Sequence, residues 1–256
     1  MLSKRQLKGI IMNKIAMGLG LLLVLQMQVQ AASTHDILTA PDRLESDVKR
    51  DVRSQPQVIV ELLALKAGDR VADIFAGGGY YSEILGRVVA PGGDVLMHNN
   101  RAYINYAGPQ LEQRFTAREV IGVKRHDREV DRMDLGEGEL DAAIIIMSYH
   151  DLYHTADGWP VIDAAHFMGQ IVRALKPGGR FLIVDHAAAA GTGKDSAQDL
   201  HRIEEAFARA DVERYGLRYK GASDALRNTA DNYQVTAFDP SVQGKTDRFI
   251  LVFEKP

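Results

Sequence analysis

The chain contains no cysteine. That absence excludes disulfides, a cysteine nucleophile and thiolate metal ligands, and it suits an oxidising compartment. Tryptophan occurs once and proline only 8 times in 256 residues, and nothing reads as a low-complexity segment, so one globular domain is the default. Basic charge is also in short supply. Lysine and arginine number 31 against 34 aspartate and glutamate, a net charge of −3, and Lys4, Arg5, Lys8 and Lys14 all fall within the first 31 residues, which hold no acid. Subtracting those four leaves −7 on the rest, which argues against nucleic acid as a partner. Long hydrophobic runs are missing too: Ile15 to Leu25 is an 11-residue stretch, short of the ~20 residues that span a bilayer.

That short run has another reading. Basic residues precede it, and "VQA" ends at Ala31 with small residues at the positions a signal peptidase reads, so residues 1–31 are expected to be a cleaved secretory signal. Met12 is an alternative start within it. The mature chain is then periplasmic or secreted, with no stable membrane anchor after cleavage.

What is present, at 46% hydrophobic and 25% charged, is enough to bury a sizeable core. Residues 32–61 form a polar leader and a helical lead-in with a break at Pro56. Over residues 62–256, strand-like runs such as "RVADIF", "GDVLMH", "LDAAIIIM", "GRFLIVDH" and "RFILVFEK" alternate with amphipathic stretches such as "YYSEILGRVVA", "VIDAAHFMGQIVRAL" and "DLHRIEEAFARADVERYG". That alternation predicts an α/β fold, a mostly parallel sheet with helices on both faces. "LKAGDRV" and "LKPGGRF" share a turn in which glycine ends a helix before a strand.

In an open parallel sheet, ligands bind beyond the carboxyl ends of the strands where the winding reverses, which directs attention to the turn in "RVADIFAGGGYYSEIL". Gly77, Gly78 and Gly79 allow positive φ and close backbone approach, and the following helix points free N–H groups at whatever lies there. No Lys-Ser/Thr pair follows, as a phosphate loop requires, and Ser82 stands where a dinucleotide fingerprint needs a third glycine.

"VADIFAGGGYYSEIL", "APGGDVLMHNN", "LDAAIIIMSYHDLYH" and "LKPGGRFLIVDH", in that order, resemble the class I S-adenosylmethionine-dependent methyltransferases. The final "GKTDRF" strand is similar to that of a bacterial subgroup of exported methyltransferases. The resemblance implies a single Rossmann-like domain with a seven-stranded sheet, its last strand antiparallel and inserted beside the fifth. It also implies S-adenosylmethionine as cofactor. Carried over by position, it makes Asp73 the acid that organises the turn and meets the methionine amino group, and it lays the cofactor along Ala76, Gly77 and Gly79. Phe75 replaces the first glycine of the family's G-x-G-x-G pattern. Asn99 stands where the family has an acid for the ribose hydroxyls, and an amide there accepts one hydrogen bond and donates another. Asp131 matches the acid that contacts the adenine amino group, with Asp127 as second choice. Taken singly, Asp and Gly at such positions are also ordinary turn residues.

The buried run Ala142 to Met147 breaks into Ser148, Tyr149, His150 and Asp151 at its carboxyl end. A neutral His150 there can take a proton from a methyl acceptor, with Asp151 orienting it. Asp185 and His186 end the next strand, so two His–Asp pairs are expected to share one rim, with Tyr153 and Trp159 lining its mouth. His201 and Glu205 are expected on one helix face. "HDLYH" lacks the zinc-protease pattern, and no metal ligands are assigned from the sequence. The function expected is methyl transfer to a small-molecule substrate. The alternatives are an exported, non-catalytic ligand-binding domain with the same fold and a metal-assisted hydrolase.

Overall fold

Among the described residues seven strands form, the inner ones where apolar residues run or alternate, and their order places the carboxyl-terminal edge at which a ligand site is built. The computed structural model describes residues 32–116 and 118–256; the expected secretory signal lies outside the described residues. The strands are β1 (Arg70–Ile74), β2 (Asp94–Asn99), β3 (Val123–Asp127), β4 (Leu140–Ile146), β5 (Leu175–His186), β6 (Arg218–Ser223) and β7 (Arg248–Glu254). They form one sheet in the order β3-β2-β1-β4-β5-β7-β6. β1 to β5 pair in parallel, whereas β7 is antiparallel to both β5 and β6 and lies between them. This is the seven-stranded arrangement expected above. Because β2 and β3 extend to one side of β1 and β4 begins the other, the winding reverses between β1 and β4.

The period of two along each strand sorts the core into two layers. Ala72, Ile74, Ala143, Ile145, Phe181 and Ile183 face α6 (Ala164–Ala174) and α8 (Glu205–Arg214). Val71, Val95, Ala142, Ile144, Leu182 and Val184 face α3 (Pro56–Leu63) and α4 (Tyr80–Val89). α1 (Thr34–Leu38) packs on the second layer through Ile37. α5 (Arg101–Phe115) covers Met97 of β2 through Ala107 and Leu111. α4 meets the start of β3 backbone to backbone: a Cβ on Gly86 would lie 2.3 Å from the Ile121 carbonyl, so only glycine fits there.

The lead-in breaks where expected. α2 (Glu45–Ser54) ends at Gln55, whose φ of 45° is left-handed, and Pro56 opens α3 with no N–H to leave unpaired. α2 then braces the glycine turn. Arg114 of α5 donates to Asp47 of α2 at 2.8 Å, and also to Glu83 of α4 and to the carbonyl of Gly78.

One amphipathic stretch divides. α7 (Ser196–Leu200) ends at His201, with φ of 50°, and α8 begins only at Glu205. His201 and Glu205 therefore do not share a helix face, which corrects the expectation. Tertiary bonds drive the break: Arg202 is fully buried against Asp231 (2.8 and 3.1 Å), and Ile203 N–H reaches the His186 carbonyl at 2.9 Å.

Candidate functional site

β1 runs out at Ile74, and the chain turns sharply through Phe75 (φ 54°), Gly77 (φ 57°) and Gly79 (φ 80°) before α4 starts. Asp73 is buried behind the turn and accepts from Ser82 Oγ at 2.6 Å. Burial pushes its carboxyl up to about 7, against the lowering effect of the Ser82 bond. Ala76 N–H donates to the His98 carbonyl at 3.0 Å, tying the turn to β2. A Cβ built on Gly77 meets nothing within 4 Å, so the turn opens onto free space at that residue.

A side chain at a left-handed position costs about 1–2 kcal/mol, and Phe75 accepts that cost for its ring. The ring is buried, stacks on Tyr103 with centroids 4.8 Å apart and 10° between planes, and lies 5.5 Å from Phe167 and 5.6 Å from both Trp159 and His98. Such contacts with the rest of the core outweigh the strain. The missing glycine has thus become an aromatic cluster beside the turn.

Asn99 does not present its amide to the outside as expected. Its Oδ1 accepts from Gly77 N–H at 2.9 Å and its Nδ2 donates to the Gly77 carbonyl at 3.0 Å, so the side chain braces the turn from within. An amide supplies both a donor and an acceptor to one backbone residue, which an ionised carboxylate does not. The neighbouring Asn100 caps α5, with Oδ1 accepting from Tyr103 N–H at 2.9 Å, while its Nδ2 is buried without a partner. Asp131 is exposed and contributes its main-chain carbonyl to His166 Nε2 at 2.7 Å. Asp127 pairs in register with Asn99 and holds a buried, unpartnered Oδ1 at the end of β3. Asp127, the second choice for the adenine contact, thus lies at the end of β3 beside Asn99.

Across the switch point, β4 ends in a left-handed Met147 (φ 56°) and a single 3₁₀ turn, His150–Tyr153. His150 bonds to Asp185 twice: its N–H donates to Oδ2 at 2.7 Å and its Nδ1 to Oδ1 at 2.8 Å. Burial pulls the imidazole pKa down, but the charges of Asp185 and then Asp151 outweigh it and raise it to about 9. Burial alone raises Asp185, and the His150 cation more than reverses that, holding its carboxyl below the usual range. Asp185, rather than Asp151, holds His150 Nδ1, while Asp151 lies 3.4 Å from Nε2, where its charge favours the imidazolium.

His186 does not join a second His–Asp pair; its Nδ1 lies 2.7 Å from Thr246 Oγ1, and burial pushes its pKa down to about 3. Trp159 Nε1 donates to the Asp151 carbonyl at 3.1 Å, which places its ring beside Phe75 and Tyr103. Tyr153 turns away, its hydroxyl donating to Asp211 of α8. Tyr103 went unnoticed in the sequence. Its hydroxyl lies 2.6 Å from Ser148 Oγ and 2.7 Å from Asp151 Oδ2, linking the β2 and β4 edges. The available signal was its place in the first turn of the helix that follows β2, on the ligand-facing edge.

No family model matches the chain. It is 23% identical over 143 residues to a ubiquinone/menaquinone biosynthesis C-methyltransferase of Pseudomonas putida, covering 56% of this chain and 51% of that one. The chain thus spans about half the length of the curated relatives it matches. Among solved structures, an S-adenosylmethionine-dependent methyltransferase from Aquifex aeolicus superposes with a TM-score of 0.58 at 17% identity, over 88% of this chain and all of that one. Phosphoethanolamine N-methyltransferase 2 of Haemonchus contortus, solved with S-adenosylmethionine, superposes with a TM-score of 0.55 at 15% identity, over 88% of this chain and 60% of the other. With the strand order, the inserted antiparallel β7 and the glycine turn at the switch point, these likenesses show that the chain has the fold of the class I S-adenosylmethionine-dependent methyltransferases.

Proposed function

We propose that this chain binds S-adenosylmethionine at the Gly77–Gly79 turn and transfers its methyl group to a small molecule. The observation that carries the reading is the open space in front of Gly77 at the point where the sheet's winding reverses. The residues there fit an adenosine-bearing group: Asn100 Nδ2 and Asp127 Oδ1 are buried, lack partners and lie at the ends of β2 and β3. A donor and an acceptor so placed suit sugar hydroxyls and an exocyclic amino group. When bound, the cofactor supplies an electrophilic methyl group on a sulfonium. The chain's own part is to hold the turn rigid, through Asp73, Asn99 and Arg114, and to exclude water with Phe75, Tyr103 and Trp159. The −7 balance of residues 32–256 and the aromatic wall support a small acceptor over a nucleic acid. The names of the relatives, a quinone-biosynthesis enzyme and a phosphoethanolamine methyltransferase, point the same way.

Calorimetric titration with S-adenosylhomocysteine tests the reading. Wild-type protein is expected to give saturable binding. Gly77→Val, which puts a branched side chain at φ 57° into the open space, is expected to abolish binding while the protein still melts cooperatively. Equal binding by a folded Gly77→Val protein overturns the site assignment.

A second reading, an exported domain that binds a small ligand without catalysis, is favoured by Phe75 at the first-glycine position and by the engagement of Asn99 with Gly77. Absence of S-adenosylhomocysteine binding by the folded wild-type protein removes the methyltransferase reading and leaves this one. Export, inferred from residues 1–31, is tested by N-terminal sequencing of protein from its natural host, expected to begin at Ala32; an intact Met1 or Met12 in a soluble cytoplasmic fraction overturns it.

A further inference from the structure

His150 and Asp151, neighbours on the 3₁₀ turn after β4, stand close to His201, the residue that ends α7, on the rim beyond β4 and β5. One ligand atom from each, a ring nitrogen of either histidine and a carboxylate oxygen, all lie within 4.8 Å of one another. We propose that these three residues bind one divalent cation of the zinc class, with Asp185 as the positioning residue for His150.

The distances support a coordination shell. Bonds of about 2.0–2.1 Å in a tetrahedron place neighbouring ligand atoms about 3.3–3.4 Å apart. His150 Nε2 is 3.4 Å from Asp151 Oδ1, already at that spacing, and His201 Nδ1 is 3.9 Å from the same oxygen. The remaining edge, between the two ring nitrogens, is at most 4.8 Å, so metal binding has to draw the partly exposed His201 ring inward.

The surroundings orient the ligands. Asp185 accepts from His150 Nδ1 at 2.8 Å, so Nε2 is the nitrogen facing the cluster, the carboxylate–histidine arrangement that fixes a metal-bound imidazole, and a metal bound there displaces the Nε2 proton. Tyr103 takes Asp151 Oδ2 at 2.7 Å and leaves Oδ1 free. His201 Nδ1 is buried without any hydrogen-bond partner, a state that costs about 1–3 kcal/mol and that a metal bond would relieve. The backbone of His201 is itself held in the left-handed region (φ 50°) by the buried Arg202–Asp231 pair that follows it. Two imidazoles and one carboxylate, with no cysteine in the chain, suit zinc and its neighbours better than the all-oxygen shells of magnesium or calcium. A fourth position remains for water or a ligand oxygen. It is bordered by His154, whose ring lies 4.5 Å from that of His201 and whose Nδ1 is also buried and unpartnered.

The test uses tag-free protein treated with chelator, dialysed and titrated with zinc chloride by calorimetry, with cobalt(II) absorption as a coordination readout. One equivalent of zinc per chain is expected, with the intense visible bands of a tetrahedral cobalt site. His201→Ala is expected to weaken zinc at least tenfold. Asp185→Asn is expected to weaken it and to shift the cobalt bands, an outcome that a merely structural role for Asp185 does not produce. His166→Ala, at a histidine bonded to the Asp131 carbonyl, is expected to bind as wild type. Should His201→Ala fail to melt cooperatively, His201→Gln keeps the volume and serves in its place. No saturable uptake by the wild-type protein, or uptake unchanged in the folded His201 variant, overturns the proposal. Neither titration contains S-adenosylmethionine, so a failure of cofactor binding leaves the result standing.

Discussion

Replacing Asn99 with aspartate exchanges an N–H donor for an oxygen at a side chain that is 1% exposed. The amide now donates to the Gly77 carbonyl and accepts from the Gly77 N–H. A carboxylate keeps the second bond, loses the first and sets a negative oxygen against a buried carbonyl. Leaving a buried acceptor unpaired costs about 1–3 kcal/mol, and the desolvated charge adds to it. Taking up a proton restores a donor toward Gly77, so the folded-state pKa of the Asn99→Asp carboxyl lies above its unfolded value of about 3.9. The sign follows from linkage: between those two values the unfolded chain is ionised and the folded chain protonated, so stability falls as pH rises and is fully present only below about 4. Relative to wild type, the variant is expected to lose about 3 kcal/mol at pH ~8 and under about 1 kcal/mol at pH ~4.5. Urea denaturation followed by circular dichroism at both pH values measures this, because subtraction from wild type cancels the titration of every other group. A loss below about 0.5 kcal/mol at the higher pH, or an equal loss at both, refutes the role given to the Asn99 amide.

The buried Asp73 gives a second pH dependence. Its folded pKa of about 7 lies above the model-peptide 3.8, so this carboxyl's own contribution to stability falls as pH rises from about 4 to about 7, by up to roughly 4 kcal/mol at 1.36 kcal/mol per unit. Asp73→Asn is expected to flatten that slope in denaturation curves at pH ~5 and ~7.5; an unchanged slope places the titration elsewhere. Phe75→Gly removes about 1–2 kcal/mol of left-handed strain but loses a ring whose burial is worth about 3–5 kcal/mol, a net loss of about 1–4 kcal/mol. Melting temperature is expected to fall by several degrees while S-adenosylhomocysteine binds equally or more tightly, and a parallel loss of binding shows instead that the ring supports the ligand site.

The architecture was readable in the residues because it depends on local, periodic signals. Alternation along "RVADIF" and "RFILVFEK" and the glycine-rich end of β1 are properties of neighbouring residues, and they direct strands, helices and the ligand-facing edge without knowledge of the rest. Side-chain partnerships are of another kind, since their geometry depends on residues far apart in the chain. "HD" beside "LIVDH" suggests two local pairs, yet the parallel register of β4 and β5 delivers Asp185 to both His150 N–H and Nδ1, 35 residues away, and leaves His186 to Thr246. Asn99 looked like a ligand residue because its position is one; that it reaches back to Gly77 depends on how closely β2 lies against the turn. The charged face of "DLHRIEEAF" reads as one helix until Arg202 finds Asp231, 29 residues on, and a buried ion pair outweighs helical propensity. That same break turns His201 toward Asp151, so the histidine–carboxylate cluster exists only in the folded chain.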